Sequence, residues 1–172
     1  MSEIKATILF DDGSEIRLKL NEKAAPLSVK NFTELAEKGY YDNLCFHRII
    51  DGFMIQGGGF SYENESLIPA PELNPIKGEF ASNGVKNPIK HKTGVISMAR
   101  TVVHDSATSQ FFICVADCPF LDGEYAAFGE CADKESVDTA IRLGKVPTGM
   151  LPPYWEDVPR SPVVIKTIKI ER

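Results

Sequence analysis

Residues 14–20 alternate strictly, with Ile16, Leu18 and Leu20 apolar and Arg17 and Lys19 polar between them. The preceding run, 3–10, is rich in β-branched residues, and Asp11-Asp12-Gly13 separates the two. Paired runs around an Asp-Gly turn predict a β-hairpin. The period then changes. Val29, Phe32 and Ala36 recur at helical spacing with Leu35 beside them; Pro26 suits a first helical turn and Gly39 a stop, so the pattern predicts a helix over 26–38. Short strands are predicted at 45–50 and 53–56, parted by Asp51-Gly52, then at 94–99, at 111–115, around Phe128 and at 163–170. A second helix is predicted over 133–143 from Val137, Ala140 and Ile141, ending at Gly144. The polar stretch 61–92, with Pro69, Pro71, Pro75 and Pro88, and the proline-rich stretch 148–162 read as irregular chain.

Strands dominate and do not alternate regularly with helices, which argues against a doubly wound parallel sheet. The pattern predicts a mainly β fold: a closed antiparallel barrel covered by two α-helices. No internal repeat or linker divides the 172 residues, so a single domain over 1–172 is expected, long enough to bury a sizeable core. Hydrophobic residues make up 43% and charged residues 25%, ordinary values for a globular domain. The net charge is −5, which gives no electrostatic case for nucleic acid or an anionic membrane as a partner. The apolar run near the start, Ile8-Leu9-Phe10, is too short for a secretory signal, and no run approaches the ~18 residues of a membrane span. The four cysteines, Cys45, Cys114, Cys118 and Cys131, are accordingly expected to be reduced thiols in a cytoplasmic protein.

Three groups of residues could carry chemistry. On a strand over 45–50, His47 and Arg48 point to opposite faces. Arg48 could then share one surface with Phe53, Met54 and Gln56, forming an apolar pocket with a single cation held by the glutamine. An ordinary core cluster with Arg48 in a surface ion pair fits the spacing as well, and spacing alone favours it. In Ser109-Gln110-Phe111-Phe112-Ile113, alternation sets Phe111 and Ile113 on one face and Gln110 and Phe112 on the other. One phenylalanine belongs to the core; the other could line a groove. Finally, Cys114 and Cys118 with His47, His91 and His104 could suggest a metal, but they lack the two close pairs of a zinc site, so no metal is expected. The chain has no GxSxG, HExxH or GxxxxGK[ST], and Gly57-Gly58-Gly59 has no helix signal after it.

Four stretches, FHRIIDGFMIQGG, GVISMAR, DSATSQFFICVAD and FLDGEYAAFGE, occur in this order. Together they closely resemble the cyclophilin family of peptidyl-prolyl cis/trans isomerases, in a bacterial form. The resemblance implies an eight-stranded antiparallel β-barrel with a helix at each end and a groove on its outer wall. It implies a catalytic role for Arg48, with Gln56 beside it, and a proline pocket made by Phe53, Met54, Phe112 and Leu121. It assigns Gln110 to the groove and Ala99, Arg100 and Thr101 to the substrate backbone. Phe120 stands where well-known members carry a tryptophan, so cyclosporin binding is expected to be weak; Tyr125 stands where they carry a histidine and keeps an aromatic ring with a polar tip, which need not stop turnover. Arg100 replaces a frequent asparagine. Such an enzyme needs no cofactor. Its partners would be proline-containing peptides and unfolded chains, and a monomer is expected. A proline-peptide binding module with negligible turnover is the alternative, and intact Arg48, Gln56 and Phe112 argue for the enzyme.

Overall fold

The computed structural model describes residues 3–172. The predicted hairpin is present: β1 (Ile4–Phe10) pairs antiparallel with β2 (Glu15–Leu20), with Ile8 opposite Ile16 and Ala6 opposite Leu18. Gly13, at φ +90°, makes the turn that a side chain would strain. Helix α1 (Pro26–Glu37) buries Val29, Phe32, Leu35 and Ala36. Its cap residue, Ala25, offers no side-chain oxygen to the free N–H groups of the first turn. Glu79 does so from 51 residues away: its carboxylate accepts from the Ser28 amide at 2.7 Å, the Ser28 hydroxyl at 2.8 Å and the Leu27 amide at 3.1 Å. A carboxylate at the positive end of a helix is favoured by the aligned peptide dipoles as well.

The chain continues through β3 (Arg48–Ile50), β4 (Met54–Gly57), β5 (Phe60–Glu63), β6 (Ser66–Pro69), β7 (Val95–Met98), β8 (Phe111–Cys114) and β9 (Ala127–Cys131). Then come α2 (Lys134–Leu143), β10 (Thr148–Leu151), β11 (Trp155–Pro159) and β12 (Ile165–Glu171). The side chain of Asp133 caps α2, accepting from the Ser136 amide at 2.8 Å. Eight strands form one antiparallel sheet in the order β12-β1-β2-β9-β7-β8-β4-β3. The helices cover it, α1 over β12 and α2 over β2 and β9. Phe32 of α1 anchors the main core, with its ring centroid 5.2–5.4 Å from those of Tyr41, Phe111 and Phe128.

Three expectations need correction. The sheet is an open half-barrel, not a closed barrel: β3 and β12 are its free edges. Among the described residues, one bridge, Cys45 to Val164, and neighbouring backbone bonds such as Phe46 N–H to the Val163 carbonyl at 2.9 Å span the gap. The strand expected at 45–50 is three residues long because Cys45 is drawn off to bridge Phe60. The stretches read as irregular each contain a hairpin, β5–β6 and β10–β11. In the first, Asn64 and Glu65 make the turn at φ +50° and +61° without a glycine.

Candidate active site

The register of the sheet aligns residues far apart in sequence. Arg48 faces Gln56, Gln56 faces Phe112, and Phe112 faces Ser97, giving one row across β3, β4, β8 and β7. The adjacent row, Ile49, Ile55, Ile113 and Ile96, points the other way and is fully buried in the main core. The Arg48 row therefore lies on the outer face, as the period of two requires. Phe111 is core and Phe112 lies outside it, in a second cluster with Met54, Cys114, Cys118 and Leu121.

An open cavity of about 160 Å³ sits on this outer cluster. Nine of the twelve residues singled out from the sequence line it, and no others do; Thr101, Gln110 and Phe120 lie outside it. Its volume suits a small ring and falls below the ~300–1,000 Å³ of pockets for drug-sized ligands. Two larger hollows, of about 430 and 470 Å³, lie elsewhere, beside Glu3 and Lys19 and beside Asp11 and Arg160, and contain none of these residues.

Met54, Phe112 and Leu121 are buried in the cavity wall and Phe53 is half-buried. Arg48 is exposed at the rim. Its Nη1 donates to Gln56 Oε1 at 3.3 Å, and Gln56 Nε2 donates to Gln110 Oε1 at 3.0 Å. Gln110 thus acts one step behind the rim. Gly59 makes room for it, since a Cβ there would come within 2.4 Å of the Gln110 side chain. Among the described residues no carboxylate pairs with Arg48, so the ion-pair alternative does not hold. Phe120 is 67% exposed and leans on Phe53, ring centroids 5.7 Å apart. The amides of Ala99 and Thr101 are used internally, by the Gln110 carbonyl at 3.0 Å and by Ser106 Oγ at 2.9 Å. Among the described residues, no hydrogen bond uses the peptide groups of Arg100.

Sequence reasoning missed what stands behind Phe112. The His91 ring stacks on it at 6.0 Å, with 17° between the planes. His91 Nε2 lies 2.9 Å from Ser97 Oγ and Nδ1 lies 3.0 Å from Asp122 Oδ1. Burial holds the His91 pKa below its usual value, against the opposing pull of Asp122. The neutral ring then donates from Nδ1 to the carboxylate, which can only accept, and accepts from Ser97 at Nε2. Ser, His and Asp in this order resemble a hydrolytic triad, but Ser97 is 0% exposed and no substrate carbonyl can reach it. The network braces the wall. No local signal could reveal it, because Asp122 is 31 residues from His91.

His47 points away from the cavity, its ring 4.8 Å from Phe60 and 6.1 Å from Trp155. Its buried Nδ1 has no hydrogen-bond partner. Burial, with a smaller effect from the Arg48 charge, lowers its pKa to about 4. Cys114 and Cys118 lie buried in the apolar cluster beneath the cavity, where burial raises both thiol pKa values. Among the described residues no three His, Cys, Asp or Glu side chains are grouped so as to hold a metal. Among the described residues no helix is long and apolar enough to cross a membrane.

The family model described as cyclophilin type peptidyl-prolyl cis-trans isomerase/CLD matches residues 6–170. This chain is a member of that family. Its cyclophilin relatives include peptidyl-prolyl cis-trans isomerase A of Dickeya dadantii, 44% identical over 95% of this chain and 83% of the relative. Isomerase B of Escherichia coli is 39% identical over 91% of this chain and 93% of the relative. A crystal structure of a Cryptosporidium parvum cyclophilin, obtained in the presence of the dipeptide Ala-Pro, is 28% identical. It superposes with a TM-score of 0.76 over 98% of this chain and 99% of that one. The cyclophilin reaction is isomerisation of Xaa-Pro peptide bonds.

Proposed function

We propose that the cavity seats the proline ring of a flexible or unfolded chain and that Arg48 is the catalytic donor. Resonance opposes rotation about the amide by about 18–20 kcal/mol, and uncatalysed Xaa-Pro exchange takes tens of seconds or longer. As the bond twists, the prolyl nitrogen becomes pyramidal and its lone pair, delocalised into the carbonyl in the planar states, becomes localised and more basic. A donor aimed at it stabilises only the twisted state, which is the kind of binding that raises a rate. No covalent bond breaks, so a nucleophile has no role. Arg48 stays charged, and Gln56 holds one nitrogen of its planar fork while the rest of the fork faces the rim. The apolar walls grip the ring and exclude water, which strengthens the donor's field. The observation that carries this reading is a guanidinium without a carboxylate partner at the mouth of an apolar cavity of ring size.

In this reading Phe53, Met54, Phe112 and Leu121 hold the ring, Tyr125 closes one side, Phe120 forms the outer rim, and the 99–101 stretch contacts the substrate backbone through Arg100. The chain acts as one domain over 1–172, as a monomer in the cytoplasm, on proline-containing peptides and unfolded chains. Cyclosporin binds weakly for want of an indole donor at Phe120. Peptide isomerisation by wild type and Arg48→Ala is the test. The variant is expected to lose at least ~100-fold in kcat/KM, about 2.7 kcal/mol of transition-state stabilisation, and Arg48→Lys to recover little of it. Turnover near wild type in an Arg48→Ala protein that is folded by circular dichroism would overturn the mechanism.

A further inference from the structure

Arg100 carries a guanidinium beside the cavity, yet its side chain is turned inward and fully engaged. Its Nε and Nη2 donate to the Glu124 carbonyl at 3.0 and 2.6 Å, and Nη1 donates to the Thr101 carbonyl at 2.9 Å. Its central carbon lies over both rings, 4.7 Å from the centroid of Phe80 and 4.6 Å from that of Tyr125. Phe80 is 1% exposed and belongs to the main core. Tyr125 meets Phe112 edge to face, centroids 5.6 Å apart at 88°. A continuous chain of contacts thus runs from the core to the cavity: Phe80, Arg100, Tyr125, Phe112. The same guanidinium ties the peptide that carries Tyr125 to its own loop, and the Glu124 carboxylate ties it again to the Ser82 hydroxyl at 2.6 Å.

We infer that Arg100 is a positioning residue that holds Tyr125 against Phe112 and so keeps the ring seat formed before substrate arrives. The inference rests on the reading of the cavity as the proline seat and adds to it a side-chain role distinct from any backbone contact at this position. Tyr125 needs such a device. Half-buried on a loop between the 3₁₀ turn at Pro119–Leu121 and β9, it belongs to no strand that would fix its ring. Arginine suits the task where lysine does not, because a planar fork can lie over two rings while donating in its own plane to two carbonyls.

The test is a double-mutant cycle between Arg100 and Tyr125, read by peptide isomerisation and by the Tyr125 ring signals in proton NMR. Arg100→Met keeps the aliphatic stem and removes every donor. It is expected to lower kcat/KM about 10-fold, chiefly through KM, and Arg100→Lys to lower it comparably. In a Tyr125→Ala background Arg100→Met should change kcat/KM less than ~2-fold, since its effect passes through the absent ring. The Tyr125 ring signals should lose their shift from Phe112 in Arg100→Met even where turnover is not measured. That readout stands whether or not Arg48→Ala is inactive, so failure of this inference and failure of the catalytic assignment can be told apart. Losses that multiply in the double variant, an Arg100→Met enzyme with wild-type KM, or unmoved Tyr125 signals would overturn the proposal.

Discussion

Replacing His47 with phenylalanine should flatten the acid side of the stability profile and leave catalysis alone. The ring is 5% exposed, packed on Phe60 and Trp155, with Nδ1 unpartnered. Its pKa falls from 6.5 to about 4, first through burial and then through the Arg48 charge. A depressed histidine contributes stability that is complete above its unfolded pKa and is lost as pH falls toward its folded one. At ~1.36 kcal/mol per unit the loss is about 2 kcal/mol by pH 5 and about 3 kcal/mol by pH 4. His47→Phe removes that loss and also an unsatisfied buried polar atom, a relief of about 1–3 kcal/mol at any pH. Urea unfolding at steps from pH 8 to pH 4 measures both. The one tryptophan, Trp155, reports the transition from 6.1 Å away. His91 titrates identically in both proteins and cancels in the difference. The variant should gain on wild type steadily below pH 6.5 while keeping its kcat/KM at pH 7.5, because the ring faces away from the cavity. Parallel stability curves would refute the argument.

Phe120→Trp should bind cyclosporin at least ~10-fold more tightly than wild type, or 1.4 kcal/mol, because the indole adds a donor and a broader face at a rim position that is 67% exposed. Equal inhibition constants for the two proteins would remove Phe120 from the inhibitor's footprint. Glu79→Ala strips α1 of the side-chain cap that Glu79 supplies and should cost about 2 kcal/mol in thermal or urea unfolding, at the upper end for a cap because the site is 3% exposed. A cost below ~0.5 kcal/mol would show that water replaces the carboxylate without penalty.

The elements with an undisturbed period were legible. Helix 26–38 is α1 at Pro26–Glu37, and the alternation of 14–20 is β2. The outer and inner faces of β8 were equally readable, since Phe111 and Phe112 separate as a period of two demands. The two extra hairpins escaped because their signals are weak. Asn64 and Glu65 turn one without glycine, and Trp155 and Val158 sit three apart in the other, with Asp157 at φ +58° breaking the alternation. Closure of the sheet could not be judged, since it depends on whether edge strands 115 residues apart, from Ile50 to Ile165, meet. The wall residues of the cavity came from resemblance more than from spacing. Their bracing by His91, Asp122 and the Arg100 side chain came from neither, because these contacts depend on loops whose paths no short-range pattern encodes.

The pairing of β1 with both β2 and β12 has a consequence for synthesis. Ile8 is aligned with Ile16 on one side and with Ile168 on the other. A chain emerging from the ribosome can complete the first side at once, but the second waits for a strand that begins 155 residues after β1 ends, at Ile165. At ~5–20 residues per second that is roughly 8–30 s with a bare strand edge, the feature that most readily recruits a foreign strand. The sheet on which Arg48, Gln56 and Phe112 are aligned is therefore finished only once β12 has emerged. Nascent chains of this protein should be inactive, and most prone to cross-pairing, until the last strand has cleared the tunnel.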